Sequence, residues 1–349
     1  MEKEGFGTAW IALTYDCNNR CKWCYADSNN PSDRDVISLR YLSDIADFLK
    51  KIGIKKTVLI GGEPTIYPFI QETISELANR QIGFGMVSNG RRFSDKGFSQ
   101  LMSNSGLQYL TISFCGSNAE SHDRLTQIRG SFNQAISGLR NASYAGIKVS
   151  TNLVINKATK GQLEDFVNNF SNEPLESMGF NICGPCVKDD ANNEYLISPR
   201  EAAASFEKIY YYSRQKGVKS KLITPTPLCF FSERFRSSPE FRKIVSSGPC
   251  QMVTGRNFVI DSNLDIVPCT HLTGFPMFSL LDADGSLITQ EEFISKLQDS
   301  EGEAYKLRDK MNHYPSVKCN DCQSDSCSGG CPLYWINSDP EVEITSPLR

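Results

Sequence analysis

With 349 residues, the chain is long enough for two domains or for one large barrel carrying an appended unit. Its 40% apolar and 22% charged residues are those of an ordinary globular protein, and a formal charge of -3 without basic runs gives no electrostatic case for nucleic acid or a membrane surface. No apolar run approaches a membrane span and Met1 to Gly5 leads into no signal-peptide core, so the expected compartment is the cytoplasm. The 13 cysteines sit at metal-ligand spacings, which reads as reduced thiolates holding iron rather than as disulfides.

The first strand expected is Thr8 to Thr14, β-branched and aromatic. It feeds into Asp16-Cys17-Asn18-Asn19-Arg20-Cys21-Lys22-Trp23-Cys24-Tyr25, where three cysteines are spaced C-x3-C-x2-C. Three thiolates on one short loop can hold three irons of a four-iron cluster and leave the fourth iron without a protein ligand. An open iron can bind a substrate or cofactor, whereas a structural zinc knuckle normally uses four ligands in two pairs. The pattern C-x3-C-x-aromatic-C after a first strand resembles the signature of the radical S-adenosylmethionine (SAM) enzymes. The resemblance implies a [4Fe-4S] cluster on Cys17, Cys21 and Cys24 whose open iron chelates the SAM methionine. Reductive cleavage of SAM would then give a 5'-deoxyadenosyl radical that takes a hydrogen atom from the substrate. A low-potential donor of flavodoxin or ferredoxin type is implied as well.

Downstream, strand and helix alternate. Ser38 is placed to cap a helix with Leu39, Leu42, Ile45, Phe48, Leu49 and Ile52 at helical spacing, and Lys56 to Ile60 is the next strand. A helix with Ile70, Ile74 and Leu77 leads to a strand at Gly83 to Ser88, and another strand follows at Tyr109 to Phe114. A helix carrying Phe132, Ile136 and Leu139 stops at Gly146, before strands at Lys148 to Ile155 and Met178 to Ile182 with the helical face Leu163 to Phe170 between them. Six such units argue for a parallel sheet, doubly wound or curled. The resemblance selects a partial (β/α)6 barrel with SAM at the C-terminal strand ends, where barrels in general place their chemistry.

Those ends carry further matches. The second strand ends in Gly61-Gly62-Glu63-Pro64, similar to the family motif whose backbone and carboxylate hold the SAM amino group; the glycines permit close backbone approach and an ionised Glu accepts from an ammonium. The third ends in Ser88-Asn89-Gly90, resembling a segment near the SAM methionine and ribose, though Asn-Gly is also a common turn. The fourth ends in Ser113-Phe114-Cys115-Gly116, followed by His122-Asp123 and Arg129-Gly130. Cys115 stands where the family usually has Asp, either as a buried small thiol or as a substrate-facing one. The sixth strand ends in Cys183-Gly184-Pro185-Cys186, a redox dithiol or a ligand pair.

Beyond the barrel, taken as residues 1–197, Ser198 is expected to cap a helix with Pro199 at its first position and Glu201 completing a capping box. The helix and a Pro- and Ser-rich loop form a bridging region, 198–249. Residues 250–349 open with Cys250 and Cys269 around a hairpin (Asn257 to Asp261, Leu264 to Val267) and continue to Cys319-x2-Cys322-x4-Cys327-x3-Cys331. The six cysteines resemble the SPASM extension of radical SAM enzymes that modify peptides and proteins, where such sets hold one or two auxiliary iron-sulfur clusters. The family pattern implies Cys250, Cys269 and Cys331 for the nearer cluster and Cys319, Cys322 and Cys327 for the farther one with a seventh Cys. Here the Cys322 to Cys327 spacing is one residue short, Leu264 replaces a typical Gly, and no Cys follows Cys331. The nearer cluster could recruit Cys229 or keep an open iron, and the farther one needs a non-Cys ligand such as Asp339 or another tail carboxylate, or is absent. A structural zinc site on Cys319 to Cys331 is the alternative that the paired spacing leaves open.

The resulting expectation is a radical SAM enzyme that modifies a ribosomally made precursor peptide by cross-linking, epimerisation or backbone excision. A protein maturase or a small-molecule enzyme stands beside it, and a non-catalytic metal scaffold is the alternative of another class. With the first strand starting near Thr8, the seven residues before it cannot form a leader-binding domain, so a separate recognition protein is expected.

Overall fold

The computed structural model describes residues 6–26, 36–185, 193–246, 250, 254–312, 315–322, 324 and 327–345. One sheet runs through them. Its strands in chain order are β1 (Thr8–Ala12), β2 (Lys56–Ile60), β3 (Gly83–Ser88), β4 (Tyr109–Phe114), β5 (Lys148–Ile155), β6 (Ser177–Ile182), β7 (Ser220–Leu222), β8 (Phe258–Ile260), β9 (Asp265–Val267) and β10 (Phe278–Ser279). In space the order is β10-β9-β8-β1-β2-β3-β4-β5-β6-β7, parallel from β8 to β7 and antiparallel only where β8, β9 and β10 meet. The mixed α/β architecture with a parallel sheet is the one expected, and the edges β7 and β10 leave the sheet open.

Alternation along the strands separates two faces. On β5, Val149, Thr151, Leu153 and Ile155 are buried, while Ser150, Asn152 and Val154 between them are only partly covered. The buried set joins Leu110, Ile112 and Phe114 of β4 and the helix residues Leu139, Phe166 and Phe170 in the main core. Each such large side chain contributes roughly 1.5–3 kcal/mol by burial. The opposite, half-exposed face is left for ligands.

Several local expectations change. Ser38 makes no side-chain cap; a 3-10 turn, Leu39–Tyr41, precedes the helix Leu42–Lys51 instead. Ser198 Oγ accepts from Glu201 N at 3.3 Å, but the Glu201 carboxylate pairs with Lys160 Nζ at 2.5 Å rather than closing a capping box. The bridging region is not a loose loop. Phe230, Phe231, Phe235 and Phe241 are buried there, the last three meeting edge to face, and Ser220–Leu222 adds a strand to β6. The hairpin of the cysteine-rich region forms, yet β8 pairs with β1, so this region extends the barrel sheet. At its turn Leu264 adopts φ +63, the left-handed conformation that favours glycine, and its side chain is buried in compensation.

Candidate functional site

The Cys17 to Cys24 loop leaves β1 and is fastened at three places. At the first, Gly62 N donates to Thr14 O and Glu63 N to Asp16 O, each at 2.8 Å. A Cβ on Gly61 would lie 2.1 Å from Thr14 O and one on Gly62 2.3 Å from Asp16 O, so only glycine lets the end of β2 approach this closely. At the second, Asn89 Nδ2 donates to Asn18 Oδ1 at 2.6 Å and Arg91 donates to Asn18 O and Asn19 Oδ1. At the third, Arg20 N and Lys22 N donate to Thr126 O and Leu125 O at the end of the helix Ala119–Thr126. Backbone from Thr14 to Lys22, around Cys17 and Cys21, is thereby tied to three neighbouring elements.

Glu63 is fully buried. Its Oε1 accepts from Thr65 N (3.1 Å), Thr65 Oγ1 (2.6 Å) and Ser88 Oγ (2.7 Å), and its Oε2 from Asn89 N (2.7 Å). Burial pushes its pKa up while these donors pull it down. The carboxylate ties the ends of β2 and β3 together, with Pro64 starting the 3-10 turn Pro64–Ile66 under it. A carboxylate offers about four acceptor positions, and these four donors occupy them.

The end of β4 approaches the same loop. Cys115 Sγ lies 3.9 Å from Cys21 Sγ, and this contact is the largest cause, ahead of burial, of a raised Cys21 pKa. Burial raises the Cys17 pKa too. Cys115 packs with Trp23 and Leu125, so it is mainly buried and faces a site cysteine. Behind it His122 Nδ1 accepts from Cys115 N at 3.2 Å, wedged between Phe114 and Phe132. Asp123 accepts from Gly130 N, Ser131 Oγ and Phe132 N and so fixes the start of the next helix.

Burial lowers the His122 pKa from 6.5 to about 4. A depressed base is neutral when folded, so its contribution to stability is full above pH 6.5 and is lost as pH falls through about 4. The slope between is up to roughly 1.4 kcal/mol per pH unit. Thermal unfolding of wild type and His122→Asn is expected to show a gap that narrows across this window. A gap constant with pH would contradict the assignment.

Ser113 lies on the half-exposed face, in register with Asn152 of β5. From there a polar row continues: Asn181 Nδ2 donates to Asn152 Oδ1 at 2.8 Å, and Thr224 Oγ1 donates to Asn181 Oδ1 at 2.9 Å. Sequence reasoning missed Asn152, Asn181 and Thr224. Their only local signal was an Asn inside a strand, a residue depleted there. A separate apolar cluster is formed by Ala12, Tyr15, Ile60 and Val259, against which Cys24, Tyr25 and Val87 pack.

The C-terminal cysteines fall into two neighbourhoods. Cys331 is half-buried, and desolvation, joined by the charges of Cys269 and Cys250, raises its pKa. Cys319 senses Cys327 and Cys322 in the same way. Cys229, which the nearer cluster could recruit, lies on a turn next to Pro227, against which Gly330 packs, and its pKa is pushed up to about 11, chiefly by burial. Asp339 is occupied as a helix cap, accepting from Glu341 N at 2.8 Å. Cys183 is buried, its thiol pushed up to about 12, and Cys186 lies outside the described residues. The first loop and the cysteine-rich region meet where the Tyr25 ring lies 4.9 Å from that of His271, itself 3.9 Å from Cys269 Sγ.

The donor chemistry fits iron-sulfur clusters. Soft thiols dominate each set, and the twelve described cysteines are all free of disulfides. Their raised pKa values mean that metal loading must release protons.

Three comparisons complete the picture. A sequence profile described as the radical SAM superfamily matches residues 11–169. Mycofactocin maturase MftC of Mycobacterium tuberculosis is 31% identical over 157 residues, covering 44% of this chain and 39% of that protein. The match thus spans well under half the length of that relative. AdoMet-dependent heme synthase of Nitratidesulfovibrio vulgaris is 27% identical, covering 97% of this chain and 90% of that protein. Among solved structures, SuiB of Streptococcus suis bound to precursor peptide SuiA shares the fold at a TM-score of 0.66 and 18% identity, covering 96% of this chain and 74% of that one.

Proposed function

Because the chain carries a radical SAM domain over residues 11–169, we propose that it is an enzyme that takes a hydrogen atom from a ribosomally made precursor peptide and so modifies it. The observation that carries this reading is the Cys17 to Cys24 loop, fastened to three neighbouring elements at the C-terminal end of the sheet, beside a half-exposed polar row. Cys17, Cys21 and Cys24 would hold a [4Fe-4S] cluster, with Gly61 to Pro64, Ser88, Asn89 and Ser113 around the SAM that completes it. When bound, the cluster and SAM supply the hydrogen-abstracting radical. Glu63 holds the ends of β2 and β3 in place, and with them the Gly61-Gly62 backbone and Asn89 beside the Cys loop. Asn152, Asn181 and Thr224 offer amides and a hydroxyl to a substrate with peptide-like donors and acceptors.

The fold shared with SuiB and the similarity to MftC support a peptide substrate. The setting proposed is the reducing cytoplasm, with a flavodoxin or ferredoxin as donor and a separate protein that grips the leader. A second reading rests on the near full-length relation to a heme synthase, which favours a small tetrapyrrole-like substrate. Incubation of the reduced protein with SAM and a candidate precursor, with and without a recognition protein, followed by mass spectrometry, is expected to give a SAM-dependent change in peptide mass. Unchanged peptide together with turnover of an iron porphyrin would transfer the assignment to the second reading.

A further inference from the structure

We propose that Cys115 donates a hydrogen bond from its thiol to Cys21 Sγ and thereby tunes the reduction potential of the cluster that Cys17, Cys21 and Cys24 hold. The inference rests on the reading that this loop carries a [4Fe-4S] cluster, and it gives a role to a thiol that comes from a different element of the sheet. Cys115 follows directly on β4, and its Sγ lies 3.9 Å from Cys21 Sγ, within hydrogen-bonding range for two sulfurs.

One helix, Ala119–Thr126, sets that distance from both sides. Near its start His122 Nδ1 accepts from Cys115 N, and Gly116 presses so closely on the helix that a Cβ would fall 2.3 Å from Ser121 Oγ and 2.7 Å from His122 N. At its end Thr126 O accepts from Arg20 N at 2.9 Å and Leu125 O from Lys22 N at 3.1 Å. The residues on both sides of Cys21 therefore hang on the same helix that holds Cys115. Asn118 and Ser121 cap that helix reciprocally, which keeps its first turn from fraying. Around the two sulfurs the packing is close: Cys115 is 8% exposed and sits with Trp23 and Leu125, with Cys21 and Tyr195 against them and the Trp23 and Tyr195 rings 5.2 Å apart. A thiol is a weak donor that water displaces at a surface, but in this enclosure it keeps its sulfur partner.

Iron loading removes the Cys21 proton. Cys21 Sγ can then only accept, which leaves Cys115 as the donor of the pair. An added electron increases the negative charge on the cluster sulfurs, so a donor on one of them stabilises the reduced form more than the oxidised form. Cys115 thus eases the one-electron reduction that must precede SAM cleavage. Its effect is exerted through Cys21.

The test is an anaerobic potentiometric titration of the iron-loaded enzyme, following the EPR signal that changes when SAM is added and so belongs to this cluster. Cys115→Ala and the bulkier Cys115→Val lack a donor. Both are expected to shift the reduction equilibrium about tenfold toward the oxidised form, a fall of about 59 mV for a one-electron couple. Cys115→Ser keeps a donor and should titrate with the wild type. Electron-nuclear double resonance in D2O should show one exchangeable proton at the cluster that Cys115→Ser retains and the two donor-free variants lose. A donor-free variant at the wild-type potential, or Cys115→Ser shifted as far as Cys115→Ala, overturns the inference while leaving the radical SAM reading intact. Loss of iron from Cys115→Ala does the same, because it would make Cys115 a ligand. Iron content unchanged when Cys17, Cys21 and Cys24 are all replaced by Ala would overturn both.

Discussion

Replacing Cys17, Cys21 and Cys24 together by Ala is expected to abolish 5'-deoxyadenosine formation, a loss of at least about a thousandfold in rate, equivalent to some 4 kcal/mol or more. The backbone of this loop is held by Gly62, Glu63, Asn89 and the helix end at Leu125 and Thr126, none of which depends on the thiols. The variant should therefore fold and lose only the soft ligands. It should remain brown, since Cys250, Cys269, Cys319, Cys322, Cys327, Cys331 and Cys229 lie in other parts of the chain. Deoxyadenosine at the wild-type rate would contradict the site assignment. A colourless triple variant containing zinc would instead make the C-terminal sets structural zinc sites.

Glu63→Ala is expected to be the most damaging single substitution outside the cysteines. It strips four donors, Thr65 N, Thr65 Oγ1, Ser88 Oγ and Asn89 N, of a buried acceptor. Each unsatisfied buried donor costs on the order of 1–3 kcal/mol, so even with partial relaxation the loss should reach roughly 3 kcal/mol. Denaturant unfolding measures it, and SAM affinity should weaken in parallel because Asn89 also anchors Asn18 of the Cys loop. Glu63→Gln keeps one acceptor oxygen and should lie between, retaining its cluster while binding SAM more weakly. Wild-type stability in Glu63→Ala would show that the carboxylate is not the tie between β2 and β3.

What the sequence disclosed well was local. The Cys spacing, the glycines before Glu63 and the strand periodicities each lie within a few residues, and the six barrel strands fall within two residues of their expected bounds. What it hid depends on register or on distant packing. Asn152 and Asn181 look like isolated polar residues until β5 and β6 pair and set them beside Thr224. The Pro- and Ser-rich part of the bridging region reads as a loop, but Phe231, Phe235 and Phe241 are spaced irregularly there and pack edge to face in a way that periodicity cannot detect. Cys229 has no neighbouring cysteine in the chain, and only the contacts of Pro225, Pro227 and Phe230 with Gly330, Cys331 and Trp335 show that its turn meets the cysteine-rich segment.

The account's central claim is that this chain cleaves SAM reductively at the Cys17 to Cys24 loop. The most direct measurement is anaerobic: iron- and sulfide-reconstituted wild type, reduced with dithionite and mixed with SAM, analysed for 5'-deoxyadenosine and methionine by liquid chromatography and mass spectrometry. Equal amounts of both products, absent without reductant and absent in the Cys17, Cys21 and Cys24→Ala variant, are the predicted result. Intact SAM in the presence of a fully loaded, reduced protein would contradict it.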